Sequence, residues 1–252
     1  MEYPLSRSVV PELRVLASSP STNSDLLELA ADPAVPSFTA LLTLDQTAGR
    51  GRLDRSWVAP AGTALALSVL VRGALAHPLG SWLPLLAGLA LAEALDAVAP
   101  GRVQVKWPND LLLDGRKVCG ILVEIASATG DAVVGSGINL RQTAEQLPVA
   151  TATSLALAGV PISDEDLDTV VAGYLRRLRN ELEAPGPLAR LRERIVGRCA
   201  TIGLRVRVAL ADGSDLVGTA TGIDASGRLE VRADAGDVVA VAVGDVTHVR
   251  PA

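Results

Sequence analysis

The chain changes in texture near Thr201, and this change limits the folds that it can adopt. From Leu204 onward, short valine-rich runs are cut by three dipeptides typical of turns: Asp212-Gly213, Ser226-Gly227 and Ala235-Gly236. Short strands at this spacing are typical of a small antiparallel barrel. We therefore expect two units, residues 1–200 and residues 201–252.

The first unit alternates apolar runs of strand length with helical segments, which predicts an α/β fold. Strands are expected over residues 13–17, 38–44, 63–72, 102–107, 111–113, 117–125 and 132–140, and helices over 22–31, 82–99, 163–183 and 187–199. Thr22 with Asp25, and Ser163 with Asp166, resemble capping boxes. The Asp114-Gly115 pair between two apolar runs predicts a hairpin turn.

Scarce residue types exclude several kinds of site. With two cysteines and two histidines, a four-cysteine zinc site is impossible, and no G-x-S-x-G motif supports a serine nucleophile. Cys119 lies in an apolar run and is expected in the core. The net charge of -5 argues against nucleic acid as a partner, and the most apolar stretch, residues 82–92, is too short to span a bilayer. No signal peptide or disulfide is indicated, so we expect a cytoplasmic protein without DNA or membrane partners.

A polar loop between two predicted strands carries the first candidate site. Residues 46–57 read Q-T-A-G-R-G-R-L-D-R-S-W, with glycines at 49 and 51 and arginines at 50, 52 and 55. Glycine lets a backbone fold closely around a ligand, and guanidinium groups suit phosphate oxygens. The alternative is a solvated loop. Because the sequence guarantees these arginines no protein partner, we expect the loop to order when ligand binds.

Three further segments carry candidate residues: K-W-P-N-D at 106–110, R-K-V-C-G-I-L-V-E at 116–124 and G-S-G-I-N at 135–139. Lys117 opens an apolar strand, so its ammonium either reaches water or faces an anionic ligand in a cleft. The alternatives are that Trp107 belongs to the core and that Asp110 caps a turn. Glycines inside a strand often mark a close approach to a ligand. The chain has no P-loop, so a Walker loop does not hold any nucleotide.

Taken together, these motifs resemble those of the biotin protein ligases. The order is S-T-N, D-Q-x-x-G-R-G-R-x-x-R-x-W, K-W-P-N-D, R-K-x-x-G-I-L-V-E and G-x-G-I-N, and the resemblance runs from about Arg14 to the end. It implies an α/β (α+β) catalytic domain, a mixed sheet backed by helices, followed by an SH3-like barrel. It also implies the monofunctional class, which lacks an N-terminal DNA-binding domain.

The resemblance further implies an ATP-dependent ligase that forms biotinyl-5′-AMP and transfers biotin to a lysine of a biotin carboxyl carrier protein domain. ATP and biotin would be substrates, with Mg2+ as an additional cation. The expected biotin contacts are Ser21, Thr22, Asn23, Gln46, Gly49, Arg50, Gly51, Arg52, Lys117 and Gly120. The expected nucleotide contacts are Arg52, Arg55, Trp57, Asn109, Lys117 and Asn139. Lys117, Arg52 and Asp110 would be catalytic, with Asp110 assisting the incoming amine.

One motif departs from the family pattern. The family often has G-x-N-L-Y-x-S where this chain has G-T-A-L-A-L-S at residues 62–68, so no side-chain role is transferred to Ala64 or Ala66. Two other functions stay open, a lipoate–protein ligase-like enzyme and a non-catalytic biotin-binding module. The expected assembly is a monomer or a homodimer.

Overall fold

The structure, a computed structural model, describes residues 2–53, 55–210, 213–242 and 244–248. The helices among them are α1 Pro4–Arg7, α2 Thr22–Leu29, α3 Leu83–Leu95, α4 Asp164–Glu183 and α5 Leu188–Arg198. The strands are β1 Leu13–Leu16, β2 Ala40–Thr43, β3 Gly49–Arg50, β4 Ser56–Trp57, β5 Ala64–Val71, β6 Val103–Lys106, β7 Asp110–Leu113, β8 Arg116–Ala126, β9 Asp131–Asn139, β10 Arg205–Ala209, β11 Asp215–Ile223, β12 Leu229–Ala233, β13 Val238–Val241 and β14 Asp245–His248.

Seven strands form one mixed sheet in the order β1-β2-β5-β9-β8-β7-β6. The pair β1 and β2 is parallel, and the other neighbours are antiparallel. The turn from β7 to β8 uses Asp114 and Gly115 with φ of 50° and 78°, which confirms the predicted hairpin. The α/β (α+β) fold with a mixed sheet backed by helices is also confirmed.

Helices cover both faces of this sheet because successive strand residues point to opposite sides. Leu42 and Val134 join the large core that contains α3 and α4. Their neighbours Leu41 and Val133 join a smaller cluster with Leu26 of α2. Helix α2, which begins with the S-T-N motif, therefore lies on the face opposite α3.

Arg72 fastens the chain just after α2 to the sheet. Its guanidinium donates to the carbonyls of Ala30, Asp32 and Val35 and to the Asp131 carboxylate at 2.7, 2.6, 2.9 and 2.7 Å. The Arg72 side chain is 22% exposed and that of Asp131 is 7% exposed. The contacts therefore fix the end of a helix whose first residues belong to the candidate site.

Arg72→Met is expected to lower the free energy of unfolding by about 2–4 kcal/mol, because it leaves a buried carboxylate without its cation. Urea unfolding of the variant measures this loss. Arg205→Met is the control, since Arg205 pairs with Asp234 at the surface and its loss should leave the midpoint unchanged. Equal midpoints for the Arg72 variant and the wild type would contradict the assignment.

The second sheet is antiparallel, in the order β13-β12-β11-β10-β14. Two predicted turns occur, at Gly227 and Gly236 with φ of 82° and 100°. The turn predicted at residues 212–213 lies partly outside the described residues. The expected end of the barrel, residues 249–252, lies wholly outside them.

Two tryptophans of the first unit contact the second sheet. The indole of Trp107 donates to the Gly227 carbonyl at 3.1 Å, and that of Trp82 donates to the Ala225 carbonyl at 3.2 Å. Apolar residues of both units belong to one continuous core. The division at residues 200 and 201 stays a prediction.

Candidate active site

Ser21 begins helix α2 as its N-cap, one residue before the predicted cap. Its hydroxyl accepts from the Ser24 backbone N–H at 3.4 Å. The prediction that Thr22 caps the helix with Asp25 is wrong because Thr22 is already helical. The Asp25 carboxylate instead accepts from the hydroxyl of Ser19 at 2.6 Å.

Thr22 is tied to the start of the arginine-rich loop through Gln46. The side-chain oxygen of Gln46 accepts from the Thr22 backbone N–H at 3.0 Å and lies 3.2 Å from the Thr22 hydroxyl. These contacts use the amide oxygen of Gln46 and direct its Nε2 toward Gly49. A Cβ on Gly49 would lie 2.4 Å from that nitrogen, so glycine is required there.

Asn23 is buried, and its amide is held at both ends. The oxygen accepts from the Ser68 hydroxyl at 2.6 Å, while the nitrogen donates to the Leu122 carbonyl at 3.2 Å and to the Glu124 carboxylate at 2.8 Å. Sequence reasoning assigned no role to Ser68 or Glu124. Ser68 is the last residue of the motif G-T-A-L-A-L-S, and Glu124 is the last residue of R-K-V-C-G-I-L-V-E. These positions were the only signal that could have identified them.

The glycines inside strand β9 make room for two candidate side chains. A Cβ on Gly135 would lie 2.2 Å from Asn23 Oδ1, and one on Gly137 would lie 2.6 Å from the indole of Trp57. Such distances are too short for any side chain larger than hydrogen. The predicted close approach at these glycines thus occurs, but with the chain's own side chains.

The arginine-rich loop folds as a short hairpin in which β3 pairs with β4. Arg50 donates to the Ser24 hydroxyl at 2.9 Å and to the Glu124 carboxylate at 3.0 Å. The hairpin therefore lies against both the start of α2 and strand β8.

The other two arginines of the hairpin contact the second sheet. Arg52 donates to the Asn109 side-chain oxygen at 3.1 Å and to the Gly244 carbonyl at 3.2 Å, while Arg55 pairs with Asp245. Burial lowers the pKa of Arg52, and the hydrogen bond from Arg55 lowers the pKa of Asp245. Each guanidinium thus has an acceptor in the protein, which the sequence did not guarantee, and the ordering of the loop on ligand binding stays a prediction.

Lys117 forms an ion pair at the edge of the candidate site. Its Nζ lies 2.6 Å from Asp110 Oδ1 and 5.9 Å from the centre of the Trp57 ring. The backbone of Lys117 bonds to Thr151 and Thr153, at 2.9 and 2.7 Å. The backbone of Lys117 is thus fixed, and its ammonium contacts a carboxylate and an aromatic ring. The Lys117 side chain is 33% exposed.

Two cavities meet at the hairpin. The first encloses about 470 Å3 and is lined, among the predicted site residues, by Ser21, Thr22, Asn23, Gln46, Arg50, Gly51, Trp57, Asn109 and Gly120. The second encloses about 950 Å3 and is lined by Gly49, Arg50, Gly51, Arg52 and Arg55 of the predicted set.

Lys117 adjoins the first cavity through its wall. A Cβ on the lining residue Gly120 would lie 3.4 Å from Lys117 Nζ. An anion in the cavity next to Gly120 would therefore meet the lysine charge. The Asp110 carboxylate, which pairs with Lys117, lies next to the same ammonium.

Asn139 is placed differently from the other predicted nucleotide contacts. It is buried at the end of β9, where its nitrogen donates to the Thr153 carbonyl at 2.9 Å and its oxygen accepts from Gln142 at 2.8 Å. Like Lys117, it lines neither cavity, but Lys117 adjoins the wall of the first cavity at Gly120. The structure thus gives Asn139 internal partners, and its nucleotide role stays a prediction.

Cys119 lies outside the candidate site, within the buried core. Burial raises the pKa of the Cys119 thiol, as expected of a core cysteine. Over the residues that the structure describes, no cluster of three His, Cys, Asp or Glu side chains could hold a metal ion. In the same part of the chain, no helix is long and apolar enough to cross a membrane.

Comparison with known families gives two matches along the chain. Residues 15–139 match the Biotin/lipoate A/B protein ligase family. Residues 201–249 match the Biotin protein ligase C terminal domain. The first match spans the S-T-N motif, the arginine hairpin and Lys117.

Individual proteins are similar over nearly the whole chain. The biotin--[acetyl-CoA-carboxylase] ligase of Mycobacterium tuberculosis is 41% identical over 95% of this chain and 90% of its own length. The ligase of the same name from Paracoccus denitrificans is 35% identical over 88% of this chain and 95% of its own. The structure of biotin protein ligase from Aquifex aeolicus in complex with biotin and ATP superposes with a TM-score of 0.77 at 26% identity, covering 96% of this chain and all of that one.

Proposed function

This chain belongs to the biotin protein ligase family, and from that membership we propose that it activates biotin with ATP and transfers it to a protein lysine. The acceptor would be a biotin carboxyl carrier protein domain of a biotin-dependent carboxylase. The observation that carries the proposal is the first cavity, which lies between the polar start of α2 and the arginine hairpin and has the Lys117 ammonium beside its wall.

In the first step, a biotin carboxylate oxygen would attack the α-phosphorus of ATP. The new carboxylate–phosphorus bond forms as the α–β anhydride bond breaks, and pyrophosphate leaves with the electron pair. Carboxylate and polyphosphate repel one another, so fixed cations are needed where their charges meet. Lys117, Arg52 and Arg55 supply three such cations around the cavities.

The biotin end would occupy the first cavity. Ser21 and Gln46 line it, and their side chains would contact polar groups of biotin. Asn23 holds its orientation through Ser68, so it would shape the wall of the cavity. The nucleotide would extend past Trp57 and Asn109 toward Arg52.

In the second step, the neutral ε-amine of the carrier lysine attacks the carbonyl carbon of the mixed anhydride. An amide bond forms, AMP leaves and one proton is lost to solvent or to a nearby base. The resemblance to the family suggests that Asp110 accepts this proton. In the structure its carboxylate is neutralised by Lys117, so acting as a base would require this pair to open.

Magnesium would enter with the ATP phosphates. The candidate carboxylates, Asp110 and Glu124, are each paired with a cation of the chain, so they do not form a prepared magnesium site. Mg2+ commonly binds through substrate phosphates with few protein ligands. A magnesium ion would therefore be held mainly by the phosphates of ATP.

Purified protein tests the activation step directly. Pyrophosphate release in the presence of ATP should depend on biotin, and lipoate should neither replace biotin nor compete with it. Biotin binding without pyrophosphate release would instead indicate a non-catalytic binding module. Preference for lipoate would indicate the lipoate-ligase alternative.

A further inference from the structure

One carboxylate oxygen joins the two halves of the first cavity. Glu124 extends from β8, and its Oε2 accepts from Asn23 Nδ2 at 2.8 Å and from Arg50 Nη2 at 3.0 Å. Asn23 belongs to α2 and Arg50 to the hairpin. Both bonds use the same oxygen, so the position of this atom fixes two cavity-lining side chains at once.

The Asn23 end of this arrangement has little freedom. The amide nitrogen has two hydrogens, which are used by Glu124 and the Leu122 carbonyl, and its oxygen accepts from Ser68. Rotating the amide by half a turn would place its oxygen against two acceptors. Glu124 thus helps to determine which face the amide presents to the cavity.

The Arg50 end is looser. Its side chain is 47% exposed, and that of Glu124 is 22% exposed. This guanidinium also donates to the Ser24 hydroxyl. At such exposure an ion pair by itself contributes little, so the position of the oxygen should matter more than its charge.

We propose that Glu124 is a positioning residue that locks the start of α2 and the arginine hairpin into one arrangement before biotin binds. The proposal rests on the proposed function, because it identifies biotin as the occupant of the cavity. Orienting both walls in advance lowers the cost of ordering them on binding. Loss of the shared oxygen should therefore weaken biotin binding and leave turnover at saturating biotin nearly unchanged.

Two variants separate the reach of the side chain from its charge. Glu124→Gln keeps an oxygen at the same reach without the charge, and Glu124→Asp keeps the charge but withdraws the oxygen by one methylene. We expect Glu124→Asp to raise the Kd and KM for biotin about tenfold or more, because the shortened side chain withdraws the oxygen from both of its hydrogen bonds. Glu124→Gln should stay within about threefold of the wild type, and kcat should change less than threefold in both.

Isothermal titration with biotin and initial rates of pyrophosphate release measure these effects. Glu12→Asp is the matched control. Glu12 pairs with Arg14 at a distance of 2.7 Å, and neither residue lines the two cavities, so this variant should leave both quantities unchanged. Thermal melting of each variant shows whether the fold is retained. If Glu124→Asp melts early, Glu124→Gln still decides, since tenfold weaker binding by that variant contradicts the proposal.

The proposal is also overturned if Glu124→Asp binds biotin as tightly as the wild type. Failure of the proposed function gives a different result. Wild-type protein that binds biotin without releasing pyrophosphate refutes the ligase activity, while the comparison of the Glu124 variants by titration still holds. Wild-type protein that binds no biotin refutes both proposals.

Discussion

Lys117→Ala is expected to lower biotin-dependent pyrophosphate release about 10²–10³-fold while the protein stays folded. The ammonium lies beside Gly120 at the cavity wall, where a carboxylate and a phosphate would meet. Removing one charged donor from a site where charge develops commonly costs about 3–4 kcal/mol, which corresponds to this loss in rate. Single-turnover formation of biotinyl-AMP measures the effect.

Two controls separate catalysis from structure at Lys117. Arg116→Ala removes a cation from the same hairpin, where its guanidinium bonds only to the Ala150 carbonyl among the contacts described, and should leave the rate unchanged. Lys117→Ala also leaves the Asp110 carboxylate unpaired. The double variant with Asp110→Asn removes that charge and should remain inactive. Recovery of activity in the double variant would show that Lys117 only neutralises Asp110.

Arg52→Met is expected to raise the escape of biotinyl-AMP from the enzyme about 10–100-fold. The half-buried guanidinium joins the hairpin to Asn109 and to the Gly244 carbonyl of the second sheet. Two charge-assisted hydrogen bonds of this kind contribute enough to account for such a change. The variant should still form the adenylate, at a reduced rate, because Lys117 and Arg55 remain as cations beside the cavities.

Biotin appearing on lysines of an unrelated protein, such as serum albumin, measures the escape from the Arg52 variant. Arg55→Met is the control. The side chains of Arg55 and Asp245 are 60% and 44% exposed, so their ion pair should contribute little and escape should rise less than about threefold. Equal escape from both variants would contradict the assignment, because it would make the burial of Arg52 irrelevant.

Local signals predicted the parts of the fold that depend on neighbouring residues. The capping box of Ser163 and Asp166 begins α4 as expected, and the Asp114-Gly115 turn has the expected backbone. The cap of α2 was misplaced because Ser21 and Thr22 are both good caps. Contacts with Gln46 and Ser68, distant in sequence, place Thr22 within the helix.

Long-range pairing explains what the sequence could not predict. Glu124 meets Asn23 across 101 residues, and Arg52 meets Gly244 across 192 residues. No periodicity or spacing connects such positions. Conversely, the motif containing Asn139 suggested a nucleotide contact, whereas the structure places its amide between Thr153 and Gln142. Motifs thus indicated the candidate site, and the folded chain determined which side chains have internal partners.

The most direct test of the account is the mass of a purified biotin carboxyl carrier domain after incubation with this protein. With biotin and ATP both present, the domain should gain one biotin, joined through an amide at a single lysine. Omission of either substrate, or replacement of the acceptor lysine by arginine, should abolish the gain. An unchanged mass in the complete mixture, with a carrier domain that another biotin ligase modifies, would contradict the proposed transfer.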